Sequence, residues 1–234
     1  MVEQELVHVE QGKYIFRVVH RIMEGDCQMD HGPKLFEVGP LLAQKFAVTN
    51  RMYYDFLQES SYHPKNERNF LKHWNNGKFK AEEEDLPVVN VSQDDAKAYA
   101  EFNGMRLPTE PEWQFLASGP EKYKWPWGND KDYSKCNVLS SGLEPVDSYP
   151  EGVSPFGLFN MCGNAWEFTS EYFIDGEDNH HFIILKGGSF YRAPDYWHTE
   201  SGAVLNNSHL KVHQLGHAMN RYETVGFRCV KEIG

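Results

Sequence analysis

The sequence predicts a single α+β domain that contains little regular secondary structure. Aromatic residues make up 14% of its 234 positions, beside 19 Gly and 12 Pro, which indicates short elements joined by shaped turns with large rings packed between them. Beyond residue 124 only 182–185 and 226–230 show a clear strand pattern. Because neither a repeat nor a linker interrupts the chain, we expect residues 1–234 to fold as one domain.

The first part of the chain predicts a hairpin and then a strand that leads into a helix. Apolar positions alternate over 6–9 and 14–19, on either side of Gln11-Gly12, as is typical of a hairpin. The short apolar run 46–48 ends at Thr49, a residue type that favours the N-cap of a helix. A helix is therefore expected to begin directly after Thr49.

Two further helices have their own start signals. Ser92 with Asp95, and Thr109 with Glu112, have the spacing of a capping box, in which each side chain bonds the other residue's backbone N–H. Pro111 suits the first helical turn, where its missing N–H has no partner to lose. We expect capped helices after Ser92 and after Thr109.

The charge balance excludes several classes of partner. With 34 acidic and 23 basic residues the net charge is -11, which repels nucleic-acid phosphates and anionic lipid. No apolar run approaches the roughly 18 residues that span a bilayer, and the first residues lack the pattern of a signal peptide. As written, the chain is expected to be soluble and cytoplasmic; if it was trimmed of a leader it would be exported, and it can also be part of a larger multidomain protein.

The cysteines do not indicate a zinc site or a disulfide framework. They are scattered without CxxC spacing, so reduced and buried thiols are expected. The four are Cys27, Cys136, Cys162 and Cys229.

Polar oxygen donors are concentrated in residues 160–167. Asn160, Asn164 and Glu167 lie on a segment that also contains Gly163. Carboxylate, amide and carbonyl oxygens on a bent backbone are the ligands that calcium prefers. The alternative interpretation is a buried polar turn with Trp166 in the core.

Histidines accumulate near the end of the chain, at His198, His209, His213 and His217. If residues 209–217 were helical, three imidazoles would share one face, as ligands for iron, copper or zinc. If the segment is a strand, its apolar positions point inward and its histidines face solvent. The sequence leaves both alternatives open.

Several short motifs, in a fixed order from about residue 46 to 230, resemble landmarks of the formylglycine-generating enzyme family, also called the sulfatase-modifying factor domain. The motif that starts at Arg106 looks like a signature of this family, and Val48-Thr49-Asn50 fits the start of the family's first helix. The motifs are Arg106-Leu107-Pro108-Thr109-Glu110-Pro111-Glu112-Trp113, Pro126-Trp127-Gly128-Asn129, Gly157-Leu158-Phe159-Asn160-Met161, Gly163-Asn164-Ala165-Trp166-Glu167, Leu185-Lys186-Gly187-Gly188-Ser189-Phe190 and Gly226-Phe227-Arg228-Cys229.

The resemblance implies a C-type-lectin-like α+β fold over the whole chain, the N-terminal hairpin 6–19 included. It also implies a calcium ion bound by the positions that correspond to Asn160, Gly163, Ala165 and Glu167. Gly163 and Ala165 would contribute backbone carbonyls. The family's second calcium site is matched here only in its first half, because the acidic loop that should follow is shortened.

The family's catalytic centre is not preserved. Active members resemble one another in a cysteine pair, shortly after Gly-Gly-Ser, that binds copper(I) and oxidises a substrate cysteine with oxygen. Arg192 and Trp197 stand in those places here, and copper(I) requires soft thiolate ligands. Ser189, Arg192 and Trp197 remain the candidates in the former catalytic groove, where Tyr191 and Tyr196 add rings that can hold a ligand.

Three functional hypotheses follow. The first is a calcium-stabilised binding or accessory module for a peptide or glycan, without copper-dependent cysteine oxidation. The second is a metal-dependent oxidoreductase of the same family, with non-heme iron or copper bound by His198, His213 and His217. The third is a formylglycine generator with relocated thiols, which requires two of the four cysteines to meet at the groove.

Overall fold

The structure, a computed structural model, describes residues 4–22, 31–138, 140–174, 181–191, 202–214 and 221–233. None of the described helices is both long and apolar enough to cross a lipid bilayer. The helices are α1 (Asn50–Ser60), α2 (Gln93–Phe102) and α3 (Glu110–Ser118), with short 3-10 turns at Ala81–Glu83, Tyr133–Lys135 and Pro150–Gly152. The strands are β1 (Leu6–Val9), β2 (Gly12–Phe16), β3 (His20–Ile22), β4 (Lys34–Val38), β5 (Leu41–Gln44), β6 (Trp166–Ile174), β7 (His181–Lys186), β8 (Ser208–Gln214), β9 (Val225–Gly226) and β10 (Val230–Glu232).

The strands form three separate sheets. The main sheet has the order β3-β8-β7-β6-β9 and is mixed, because β7 runs antiparallel to both of its neighbours whereas the outer pairs β3–β8 and β6–β9 are parallel. A second sheet has the order β1-β5-β10, and β2 pairs with β4 alone. This arrangement of small sheets, few helices and long irregular connections confirms the predicted α+β class.

The predicted N-terminal hairpin is wrong in its pairing. Strand β1 pairs with β5 and strand β2 pairs with β4, so the two neighbouring strands enter different sheets. The physical reason lies at Gly12, which is the first residue of β2 and not a turn residue. A Cβ atom at Gly12 would lie 2.5 Å from the ring of Phe115, so glycine is needed there for the close approach of α3.

The three predicted helix starts are confirmed. The Thr49 hydroxyl accepts from the Met52 N–H at 3.2 Å at the start of α1. At α2, the Ser92 N–H donates to Asp95 at 2.7 Å. At α3, the Thr109 N–H donates to the Glu112 carboxylate at 2.8 Å, and the reciprocal bond of each box is also formed. These caps place Glu110 and Trp113 against the main sheet.

Two predicted strands are shorter or less regular than expected. Residues 46–48 lie outside the named strands, although Val48 exchanges single backbone bonds with Phe227 and Val88. The run 226–230 is divided between β9 and β10, which belong to different sheets. Strand β7, in contrast, includes the predicted residues 182–185.

Aromatic rings fill the space between these elements, as the composition predicted. Tyr53 of α1 stacks on Tyr99 of α2 with ring centroids 5.8 Å apart, and Phe227 packs edge-on against Tyr99 at 5.4 Å. On the other side, Trp113 of α3 is fully buried. The segment that leads into β6 lies close to this residue.

Candidate functional site

The carboxylate of Glu167, at the start of β6, forms a buried ion pair with Arg228. The Arg228 guanidinium contacts both carboxylate oxygens at 2.7–2.9 Å, and the Trp113 indole N–H donates to Oε2 at 2.7 Å. Glu167 is 2% exposed and Arg228 is fully buried. The negative charge of the only carboxylate in the expected calcium set is thus already balanced by a cation.

The neutral oxygens of that set are differently placed. The Asn160 amide nitrogen donates to the Val146 carbonyl at 2.8 Å, but its Oδ1 is buried and makes no hydrogen bond within the described chain. None of the described groups donates to the carbonyl oxygens of Gly163 and Ala165. These three oxygens fit a hard cation, whereas Glu167 would have to share its carboxylate with Arg228.

The local backbone explains how this segment can bend. Asn160, Gly163 and Asn164 have positive φ angles of 53°, 80° and 63°, a conformation that Asn and Gly adopt more readily than other residues. A Cβ at residue 163 would also lie 2.6 Å from the Asn137 carbonyl oxygen. Polar side chains in the segment are buried, as in the interpretation of a buried polar turn, while Trp166 is only partly buried.

Asn137, which the resemblance assigns to the incomplete second calcium site, is held by side-chain hydrogen bonds. The Asn137 amide donates to the Gly142 carbonyl and to Asn164 Oδ1, both at 2.9 Å. Its oxygen accepts from the Ser140 hydroxyl. Neighbouring groups of the chain therefore satisfy the Asn137 side chain.

Glycines shape the described start of the candidate groove. Gly187 and Gly188 have φ angles of 90° and 83°, and a Cβ at Gly188 would lie 1.9 Å from the Gly202 carbonyl oxygen. The Ser189 N–H donates to the same carbonyl at 2.9 Å. Ser189 is buried and its hydroxyl accepts from the Tyr191 N–H at 3.3 Å, whereas the Tyr191 side chain is 55% exposed.

The remaining candidates of the groove and of the histidine group lie outside the described residues. This applies to Arg192, Tyr196, Trp197, His198 and His217. His213 belongs to β8, where its backbone is opposite Phe182. The described residues therefore neither support nor contradict a metal site formed by His198, His213 and His217.

Within the described residues, strand β8 contradicts the helical alternative for the late histidines. The described residues 208–214 are a strand and not a helix, so the helical face does not form there. The expectation that His209 faces solvent is wrong, because His209 is fully buried. Its Nδ1 lies 3.0 Å from the Glu110 carboxylate, which offsets the loss of hydration.

Glu110, Lys186 and His209 form a buried ionic cluster that the sequence reasoning missed. The Lys186 ammonium lies 3.2 Å from Glu110 Oε1 and also donates to the Ser208 carbonyl. Burial alone would raise the pKa of Glu110, but the charge of Lys186 and the hydrogen bonds from both partners lower it below its usual value. The signal in the sequence was a lysine at the end of the apolar run Phe182-Ile183-Ile184-Leu185.

Metal-binding side chains are sparse in the described part of the chain. Within it, no three or more His, Cys, Asp or Glu side chains are grouped so that they could bind a metal ion. The described thiols, Cys136, Cys162 and Cys229, are all buried. Cys27 lies outside the described residues.

Proteins with similar sequences include both inactive and active members of one family. Over 165 residues the chain is 32% identical to "Inactive C-alpha-formylglycine-generating enzyme 2" of Mus musculus, a match that covers 64% of this chain and 50% of that protein. It is 34% identical over 137 residues to the "Formylglycine-generating enzyme" of Thermomonospora curvata, covering 44% of each. The chain thus spans about half the length of the mouse protein.

The fold is shared with a solved structure over nearly the whole chain. The crystal structure of CarF superimposes with a TM-score of 0.68 and 20% identity, and the match covers 99% of each chain. Residues 2–233 match the family described as "Sulfatase-modifying factor enzyme 1-like domain". The chain is therefore a member of the sulfatase-modifying factor family.

Proposed function

We propose that this chain is a binding or accessory module of the family, one that does not carry out copper-dependent cysteine oxidation. The observation that carries the proposal is the presence of Arg192 and Trp197 where active members have their copper-binding thiols. A guanidinium and an indole cannot replace thiolates as ligands of copper(I). The similarity to the mouse protein named as inactive supports the same conclusion.

The described thiols do not offer a substitute at the surface. Cys136, Cys162 and Cys229 are 3%, 1% and 0% exposed. Burial raises the pKa of Cys229, and so disfavours the thiolate that would have to bind the metal. An oxidase centre would need thiolates that a substrate cysteine can approach.

The ligand that we propose is a peptide or a glycan held by rings and a guanidinium after Ser189. Tyr191 is the described member of this group and more than half of its side chain is exposed. Arg192, Tyr196 and Trp197 follow it closely in the sequence. Aromatic faces stack on sugar rings and on peptide groups, and Arg adds hydrogen-bond donors.

Screening on peptide and glycan arrays tests this ligand class. We expect the protein to bind a subset of one array, and Tyr191→Ala to weaken that binding about tenfold, which corresponds to about 1.4 kcal/mol. Tyr222→Ala is the matched control, because Tyr222 is another exposed tyrosine, 37% exposed, outside the groove segment. Absence of binding on both arrays, or equal effects of the two substitutions, would contradict the proposal.

We also propose that a calcium ion stabilises residues 160–167. Asn160 Oδ1 and the carbonyls of Gly163 and Ala165 would bind the ion, and Glu167 would share its carboxylate between the ion and Arg228. The support is the buried Asn160 oxygen without a hydrogen bond, since an unsatisfied buried acceptor is costly unless a ligand completes it. The ion would fix residues 160–165, which lie outside the helices and strands.

A further inference from the structure

Cys136 and Cys162 come from segments that the fold holds side by side. The Asn164 N–H donates to the Asn137 carbonyl at 2.8 Å, and the two asparagine side chains are hydrogen-bonded at 2.9 Å. Gly163 lacks the Cβ that would collide with the Asn137 carbonyl. These contacts bring the residue before Asn137 next to the residue before Gly163.

The two thiols share one apolar cluster. Cys136 and Cys162 are buried together with Trp125, Val138 and Ala203. The Cys162 sulfur lies 3.8 Å from the Val204 carbonyl oxygen. The Cys162 thiol also forms a hydrogen bond with the Cys136 thiol.

We propose that Cys136 and Cys162 are a latent disulfide that closes when the protein meets a peroxide. An apolar cluster disfavours a buried net charge. It therefore favours a disulfide, which is neutral, over a copper(I) site, in which two thiolates on a monovalent ion carry a net negative charge. The same burial limits the access of oxidants to both thiols in the resting protein. The closed bond would tie Cys136 to the segment that contains the proposed calcium-binding residues.

The reaction balances with peroxide as the oxidant. One thiolate attacks a peroxide oxygen, the O–O bond breaks, and a sulfenic acid and hydroxide form; the hydroxide takes up the proton that the thiol released. The second thiol then attacks the sulfenic sulfur, the S–S bond forms, and the sulfenic oxygen leaves as water. In sum, two thiols and one hydrogen peroxide give one disulfide and two waters.

The test is incubation of the native, full chain with hydrogen peroxide, quenching, alkylation of free thiols under denaturing conditions, and peptide mapping by mass spectrometry. We expect a cross-linked peptide that contains Cys136 and Cys162, and its complete loss after a dithiol reductant. Cys229→Ser is the control that should leave the cross-link intact, because Cys229 lies in a different cluster. Cys136→Ser and Cys162→Ser should each abolish it.

The mapping of the wild-type chain decides the proposal even if a variant folds poorly. A cross-link between any other pair, with Cys27 or Cys229 as a partner, would overturn it. So would the recovery of both Cys136 and Cys162 as alkylated thiols, or as separate sulfinic acids that are not cross-linked, after exhaustive peroxide treatment.

Discussion

Replacing Arg228 by Met is expected to lower the free energy of unfolding by about 3–5 kcal/mol, the usual penalty for leaving one partner of a buried ion pair uncompensated. Arg228 is fully buried, and its removal leaves the Glu167 carboxylate, 2% exposed, without a cation. The carbonyls of Gln44, Lys45 and Phe159 also lose the hydrogen bonds that the Arg228 guanidinium donates to them. Urea denaturation followed by circular dichroism measures the change.

Two further variants show whether the pair itself is responsible. Arg51→Met removes an arginine from a partly exposed pair with Glu84, whose side chains are 31% and 27% exposed, and it should cost about 1 kcal/mol or less. The double variant Arg228→Met with Glu167→Gln should recover part of the loss, because the buried negative charge is gone. A loss at Arg228 no larger than that at Arg51 would contradict this account.

Replacing Lys186 by Met is expected to destabilise the fold by about 3–5 kcal/mol at neutral pH, and by less in acid. Lys186 is fully buried against Glu110, so that its loss leaves a carboxylate in the core with His209 as its remaining partner. Without the ammonium, burial dominates and the pKa of Glu110 rises. The folded variant then binds a proton more readily than the unfolded chain, and its stability increases as the pH falls.

In the wild-type protein, the contribution of Glu110 to stability changes with pH in the opposite direction. The pKa of Glu110 is below its usual value, so its contribution is present above the unfolded pKa of about 4.3 and is lost as the pH falls through the folded pKa. Burial lowers the pKa of Lys186, which makes stability rise with pH in the alkaline range. Burial raises the pKa of Glu171. The contribution of Glu171 to stability therefore falls as the pH rises just above the usual pKa of a carboxyl, which is opposite in sign to the contribution of Glu110.

Denaturant unfolding at pH 7 and at pH 5 separates these effects. The difference in stability between wild type and Lys186→Met should shrink at the lower pH. Lys13→Met is the control, because Lys13 pairs with Glu37 at the surface, with side chains 71% and 60% exposed, and should show no measurable change at either pH. A Lys186 penalty that is equal at both pH values would exclude an ionised Glu110 as its cause.

Local signals in the sequence predicted the helices because their causes are local. Ser92 and Asp95, like Thr109 and Glu112, bond within one turn, so that their spacing is sufficient. The pairing of β1 and β2 depended on partners some 20 to 40 residues away, and on the ring of Phe115 against Gly12. No local pattern contains that information.

The candidate site was predictable in its residue types more than in its contacts. Oxygen donors at Asn160 and Glu167 were visible in the sequence, but the commitment of Glu167 to Arg228 joins positions 61 residues apart. The packing of Cys136 and Cys162 in one cluster was equally hidden, because their separation follows no motif. Long-range contacts of this kind follow from how the irregular segments pack.

Metal content measured by mass spectrometry tests the central claim most directly, after aerobic exposure of the full chain to calcium, iron(II) and copper(I) and removal of excess metal. We predict about one calcium per chain and no stoichiometric iron or copper. A metal-dependent oxidase, in contrast, would retain its metal. Asn160→Gly should lose the calcium, whereas Asn76→Gly, which replaces another asparagine of positive φ, should keep it. Stoichiometric copper or iron that disappears when His213 or His217 is replaced would contradict the account and indicate an oxidoreductase.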